Sequence, residues 1–477
     1  MGQFRTAPVA TKKLPTGIPF ILGNEVAERF SFYGMKAILF TFMTKYLLDA
    51  SGNEAFYTET QARQGVHDFV ALAYFFPLVG AVLSDAFWGK YKTILYISLF
   101  YCVGHALLAL MDAPPAFLEA TLSPEGFMMS GLFVIAVGAG GIKPCVSAHV
   151  GDQFGETNKH LLEPMFGWFY VSINLGATAA YALLPWVLSR FGPGVAFALP
   201  GILMGLATLV FWLGRNRFVH IQPTGVGYFK EAFTGQGLRI IGKLLPIFLL
   251  LAVFWSLFDQ TGAGWIGQAE SMDRMFLGIE WHEAQIGAIN PFCILLFVPL
   301  FNYVVYPIAG RVVRLTPLRK AGTGMFLMAG SFWLVTEIET WILAAQAAGA
   351  PAPSIGWQVI AYAILTASEV LVSITLLEFF YTQAKPEMKS LMVGIFYLAV
   401  AFGNFFTARV NSFTMDADGN STLEGPEYWW FFTKLMFAAS ALFVLYSLFY
   451  KEKSYLQKEE PVTAPPIEGA IAATPPQ

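Results

Sequence analysis

The chain has 477 residues, of which 56% are hydrophobic, 16% aromatic and only 13% charged, with a net charge of −3 and a mean hydropathy of +0.56. A soluble chain carries roughly 25% charged residues, so a soluble enzyme, a nucleic-acid binder and a disordered scaffold are all excluded. Apolar stretches of about 20 residues, each enough to cross the hydrocarbon core, recur along the chain, and the composition describes an all-α polytopic membrane protein.

Residues 1–16 carry Arg5, Lys12 and Lys13 and lead into a first apolar segment with no cleavage-site pattern, which is read as a retained helix. Spans are expected at 17–48, 63–88, 91–112, 126–150, 163–189 and 195–214. A second set of six follows at 240–265, 283–310, 318–348, 356–383, 387–412 and 427–450. Between the sets, 215–239 holds Arg215, Arg217, Lys230 and Arg239 with Pro223, Gly225 and Gly227, and reads as a linker. The tail 451–477 is rich in Pro, Ala and Glu and reads as disordered. The domain reading is therefore a terminal segment 1–16, a six-helix bundle 17–214, a linker 215–239, a second bundle 240–450 and a tail.

Lys and Arg set the orientation. Nineteen of them fall in the termini and in alternate connections, against Arg63, Arg190 and Arg274 in the others. Both termini are expected in the cytoplasm, as an even helix count also requires. Cys102, Cys145 and Cys293 lie in apolar segments without a CxxC pattern, and the histidines show no HxxxH or HxxH spacing. No zinc site, disulfide framework or membrane metalloenzyme is expected. Asp416, Asp418, Asn420, Thr422, Glu424 and Glu427 follow a calcium-loop spacing but lack the turn glycine, so an acidic outer loop is expected instead.

A charge in mid-span costs roughly 2.5–3.5 kcal/mol and needs a partner or a task. Glu25, Glu28, Arg29, Phe32 and Lys36 fall on one stripe of helix 1 about 100° wide. Glu25 and Arg29 form an i,i+4 pair in the favourable order. Glu369 stands mid-span in helix 10, with Ser373 one turn on. The plain reading is a neutral structural cluster, and the functional one is a proton site with a ligand clamp.

Two six-helix halves with a basic linker, and the segment from Gly80 through Asp85 and Gly89-Lys90 to Lys92, resemble the major facilitator architecture. Glu25-Val26-Ala27-Glu28-Arg29-Phe30-Ser31-Phe32-Tyr33-Gly34 resembles the ExxERFxYYG motif of proton-dependent oligopeptide transporters. Phe169-Tyr170 with Asn174 and Gly176 is similar to that family's FYxxINxG signature. Gly140-Gly141-Ile142-Lys143-Pro144, Gly151-Asp152-Gln153-Phe154, Phe254-Trp255 with Asp259-Gln260, Asn290, and Ser368-Glu369-Val370 also match, over roughly 18–450. The short linker and the short 349–356 connection suit a compact twelve-helix member of bacterial type.

The resemblance implies a proton-coupled symporter that imports di- and tripeptides by alternating access, in the plasma membrane or, in a bacterium, the inner membrane. The alternative is the same fold moving another small anion, such as nitrate or a peptide-like compound. It implies peptide-binding roles for Lys36 and Lys143 (carboxylate end) and Glu369 (amine). Tyr33, Tyr74, Tyr170, Asn174, Trp255, Asn290 and Ser373 are the implied walls. Glu25, Glu28, Arg29, His67 and Asp259 are the proton-coupling set, with Lys36 and Asp259 paired as an outer gate. An unliganded Glu369 bound internally by Lys143 is the plain alternative. Lys36 stands where the family has arginine, a point charge in place of a bidentate fork, and Phe32 replaces a tyrosine. Partners are peptides, protons and the lipid bilayer, with no nucleic acid and the oligomeric state open. No cofactor is expected beyond the proton gradient, and no enzymatic activity.

Overall fold

Apolar runs interrupted by Gly, Pro and capping residues fold into helices long enough to span a bilayer, because no other open structure satisfies its own backbone in lipid. A computed structural model describes residues 4–111, 122–223, 225, 234–383, 389–423 and 425–451. The spans are α1 (Ile18–Lys45), α2 (Glu59–Val82), α3 (Lys90–Ala109), α4 (Pro124–Asp152), α5 (Leu162–Phe191) and α6 (Pro193–Leu213), then α7 (Gly235–Phe258), α8 (Ile289–Leu300), α9 (Pro317–Ala348), α10 (Gly356–Glu369), α11 (Lys389–Phe413) and α12 (Pro426–Phe449). Among the described residues, eleven helical segments are long and apolar enough to span. The first, α1, falls short of that criterion because every 18-residue window of it carries at least three charges.

Local chemistry explains several departures from the expected bounds. Thr58 and Gln61 form a capping box, so α2 starts at Glu59 rather than 63. The seventh span does not run unbroken to 265. It stops at Phe258, tightens through Asp259–Gly262 and resumes as a short helix, Gly264–Glu270. A hairpin, β1 (Met275–Phe276) and β2 (Ile279–Glu280), follows, turning through Leu277 and Gly278 at positive φ. Wide π turns extend α2 at Leu83–Trp88, α8 at Phe301–Val305 and α10 at Val370–Ile374. Such turns cluster at functional positions, and the last begins directly after Glu369.

The core forms two main clusters. One gathers buried residues from Ile18 to Phe218 and the other from Ile240 to Phe443. Ala263, Ile266 and Ala284 pack into the first cluster although they follow α7. Between the halves, α2 packs along α11 and α5 against α8. Glycine allows the tightest crossings. A Cβ on Gly80 of α2 would sit 2.2 Å from the Gly141 carbonyl of α4, and one on Gly403 of α11 would sit 2.3 Å from the Ala252 carbonyl of α7.

The two described chain ends lie on one face. There the Arg5 carbonyl accepts from the His220 N–H at 2.7 Å, and Phe4 stacks on the His220 ring at 4.2 Å. Thr11 and Thr157 exchange two hydrogen bonds. Gln153 receives the Val219 N–H at 2.9 Å, so the start of the linker is docked on the first half. Residues 224 and 226–233 of the linker lie outside the described residues, as does the tail beyond 451, and 235–239, expected in the linker, already belong to α7, whose N-cap is Thr234. On the other face Asp416 Oδ1 accepts the N–H groups of Asp418 and Asn420 at 3.0 and 2.8 Å, closing the acidic loop on itself. Glu424 lies outside the described residues. Among the described residues no cluster of His, Cys, Asp and Glu is positioned to hold a metal ion.

Candidate functional site

A cavity of about 860 Å³ opens between the halves, lined by Arg29, Tyr33, Tyr74, Lys143, Tyr170, Asn174, Trp255, Glu369 and Ser373. Its size fits a small-molecule site. Apolar side chains of α8 (Ile294, Val298) and of the stretch that continues α10 (Ile374 and, in the helical turn Thr375–Thr382, Leu377) face the aromatic wall of α2, α5 and α11. The cavity reaches toward the face of the termini, since Pro164, Gly167 and Trp168 of the first turns of α5 line it. Because the turn after Glu369 is wide, Ser373 and Ile374 both reach the cavity; uniform α spacing favours Ser373 alone.

The charges of α1 are buried and mutually paired. Arg29 Nε lies 2.7 Å from Glu25 Oε1 and 3.3 Å from Glu28 Oε2. Lys143 of α4 pairs with Glu28 Oε1 only at 3.7 Å, and among the described residues its ammonium makes no hydrogen bond. It sits instead 3.6 Å above the ring of Phe32 and 5.5 Å from that of Tyr74. The lost hydroxyl at Phe32 thus leaves an aromatic face under a cation, worth up to about 2 kcal/mol when desolvated.

Glu369 is not bound by Lys143, contrary to the plain alternative. Asn290 of α8 donates to Glu369 Oε2 at 2.7 Å, and its second contact is Thr366 at 3.1 Å. Among the described residues Glu369 forms no ion pair within 4 Å. The α8 and α4 walls hold the two charges apart, so neither neutralises the other. Asn290 and Lys36 lie outside the large cavity. They line a smaller space of about 90 Å³ beside it, with Asp259, Tyr181 and Tyr362. Lys36 is therefore not an open carboxylate clamp here: its ammonium is 2.5 Å from Asp259 Oδ1, and both side chains are buried.

The second oxygen of Asp259 accepts from Asn404 Nδ2 of α11 at 2.7 Å. Asn404 Oδ1 in turn lies 2.8 Å from His67 Nδ1 of α2. Lys36, Asp259, Asn404 and His67 thus join four helices, two from each half. Further contacts between the halves surround them: Asp68 with Arg409 at 2.7 and 2.8 Å, Lys45 with Glu270 and Glu283 at 3.1 Å each, and Thr58 with the Gly419 carbonyl. All lie on the face away from the termini, which is closed.

Sequence reasoning missed Asn404, Tyr397 and Trp168. Tyr397 and Asn404 are seven residues apart, hence on one face of α11, and Tyr397 lines the cavity. A lone Asn in the apolar run Tyr397–Phe406 was the available signal.

Comparison with known proteins follows from this geometry. The POT family model matches residues 91–234 and 226–431. "Peptide transporter family 1" of Drosophila melanogaster is 35% identical over 68% of this chain and 48% of its own length. "Peptide transporter 3" of Caenorhabditis elegans is 36% identical over 69% and 51%. The chain thus spans about half the length of the curated relatives it matches. The crystal structure of the POT family transporter PepTSo superimposes with a TM-score of 0.81 at 34% identity, covering 92% of this chain and 99% of that one. The fold is that of the major facilitator transporters in two six-helix bundles, and the chain belongs to the POT family.

Proposed function

We propose that this chain is a proton-coupled symporter that imports di- and tripeptides by alternating access. The carrying observation is a cation and an anion held apart in one cavity: the Lys143 ammonium, which Glu28 approaches only to 3.7 Å, and the Glu369 carboxylate, which has no ion pair among the described residues. A buried charge with a weak partner or none is costly, and a peptide zwitterion supplies a closer carboxylate for Lys143 and an ammonium for Glu369 together. Its C-terminal carboxylate goes to Lys143 beside Arg29, its ammonium goes to Glu369, and the aromatic and aliphatic walls take the side chains. A simple anion such as nitrate satisfies Lys143 but leaves Glu369 opposed by nothing, so Glu369 disfavours that alternative.

The ligand ties α4 to α10, hence one half to the other, and favours the state closed on both sides. Proton coupling falls to two groups of residues. On the closed face, protonation of Asp259 or His67 weakens the Lys36–Asp259 gate, parts the halves there and frees Lys36 for the peptide carboxylate. Near the cavity, proton exchange at Glu25 and Glu28 changes how firmly Arg29 and Lys143 are held. Tyr33, Tyr74, Tyr170, Asn174, Trp255 and Ser373 shape the cavity, and Asn290 orients Glu369.

The bundles run 17–214 and, with α7 starting at Gly235 and not at the expected 240, 235–450, with the linker between them, a division that the two core clusters support. Both termini are cytoplasmic, supported by the nineteen-to-three partition of Lys and Arg. The membrane is the plasma membrane or, in a bacterium, the inner membrane, the gradient is the energy source, and no cofactor takes part. Uptake of labelled dialanine into proteoliposomes tests the proposal. Uptake driven by an inward proton gradient and abolished by an uncoupler is expected. Folded protein that takes up no peptide while accumulating nitrate would overturn it.

A further inference from the structure

Asp259 is the anion of the ion pair with the Lys36 ammonium at 2.5 Å, and a carboxylate only accepts hydrogen bonds. The Asn404 atom 2.7 Å from its other oxygen must therefore be the amide nitrogen, which fixes the amide orientation chemically. Asn404 Oδ1 then faces His67, and an amide oxygen cannot donate. His67 Nδ1 must carry a hydrogen, leaving Nε2, buried and without a partner among the described residues, as the free nitrogen of the neutral ring. The second Asn404 N–H donates to the Val400 carbonyl at 3.0 Å, so every polar atom of the amide is committed.

We infer that Asn404 is the positioning residue of the closed face: its amide holds His67 in the Nδ1–H form and turns over when Asp259 takes up a proton. The inference rests on the proton-coupled reading above and deepens it. One proton from water on that face adds to Asp259 Oδ2, and the resulting O–H must donate. It meets the Asn404 N–H donor to donor. Rotation of the amide by 180° presents Oδ1 to the acid and Nδ2 to His67. Nδ1 of His67 must then accept, so the ring gives its Nδ1 proton to water and takes one at Nε2, with no change of charge. The sum is one proton gained, at Asp259, and Lys36 loses its anion. The Val400 carbonyl loses its N–H in the turned state, which favours return once Asp259 deprotonates. The charged groups facing the ring are Asp259 of α7, Lys36 of α1 and, on its own helix, Asp68. Arg409 of α11 holds Asp68 at 2.7 Å.

A neutral amide linking the gate therefore makes the His67 tautomer report the state of Asp259. The test combines ring-¹⁵N histidine spectra with transport. In wild type at neutral pH the His67 resonances, assigned by their loss in His67→Gln, are expected in the Nδ1–H form. Asn404→Leu releases the tautomer. Asn404→Asp, which still accepts from Nδ1 but repels Asp259, preserves the tautomer. In transport, Asn404→Leu loses about tenfold in gradient-driven uptake and shifts its pH profile. It retains at least half its rate of peptide counterflow, which needs no net proton movement. A wild-type His67 protonated at Nε2 alone would overturn the inference even if Asn404→Leu fails to fold. An unchanged pH profile and gradient response in folded Asn404→Leu would do the same. Wild type that transports no peptide defeats the functional reading instead, and the tautomer measurement still decides the role of Asn404.

Discussion

Replacing Asp259 by Asn should open the closed face. The Lys36–Asp259 pair is buried at 2.5 Å and joins α1 to α7, so it exists only while the halves meet on that side. At an effective dielectric of 20 the gross attraction at this separation is about 7 kcal/mol. Desolvation of several kcal/mol per ion offsets much of it, yet removing one partner of a buried pair typically costs about 3–5 kcal/mol, because the other is left uncompensated. An Asn side chain can still accept one hydrogen bond from Lys36, which places the loss near the lower value, about 3 kcal/mol. That is about a 100-fold shift in the equilibrium between the closed and open outer face. Double electron–electron resonance can read it, with spin labels at Glu54 and Asp418, both exposed on that face, in a background lacking Cys102, Cys145 and Cys293. Wild type should give one short distance, and Asp259→Asn a longer population that becomes the majority at neutral pH. An unchanged distance distribution in folded variant protein would refute the reasoning, since the pair would then contribute less than about 1 kcal/mol.

Other expectations follow from particular contacts. Gly80→Ala places a Cβ 2.2 Å from the Gly141 carbonyl, so α2 and α4 must separate; a loss of about 1–3 kcal/mol should appear as a lower unfolding temperature in detergent, while Gly235→Ala, open to space, should show none. The N-terminal strap should be pH-sensitive. Burial, with help from Lys92, lowers the His220 pKa against the Arg215 carbonyl that holds Nε2. A base with a depressed folded pKa contributes its stabilisation above the unfolded value, near 6.5, and loses it as pH falls through the folded one. Hydrogen exchange of residues 4–13 should therefore quicken below about pH 6, and His220→Phe should remove the effect. Asp68→Asn should matter far less than Asp259→Asn, because its pair with Arg409 is more than one-third exposed and such pairs are worth about 0–1 kcal/mol.

The membrane class, the spans and the charged stripe of α1 were legible because burying charge in lipid is costly enough to leave a mark in the sequence. The capping box at Thr58 and the break at Asp259 were not read, since both sit at the ends of apolar runs where periodicity carries little weight. The wide turn after Glu369 has no residue signature of its own. Lys36 illustrates a different limit: its pairing with Asp259 was expected from the resemblance, but its two expected roles belong to different stages of a cycle, and a sequence encodes all stages at once. Asn404 is neutral, and its partners Asp259 and His67 lie 145 and 337 residues away, so only the folded chain brings the three together. The roles of Lys143 and Glu369 came from resemblance to a family, whereas their lack of mutual contact is a property of this cavity.

The most direct measurement is competition for dialanine binding by end-blocked peptides, in wild type and Glu369→Gln. If the cavity reads both ends of a zwitterion, N-acetylation should weaken binding to wild type by about tenfold or more, the worth of one charge-assisted contact. The same modification should cost little further in Glu369→Gln. Equal binding of free and acetylated dialanine by wild type, or an undiminished penalty in the variant, would contradict the assignment of Glu369 to the amine and with it the central claim.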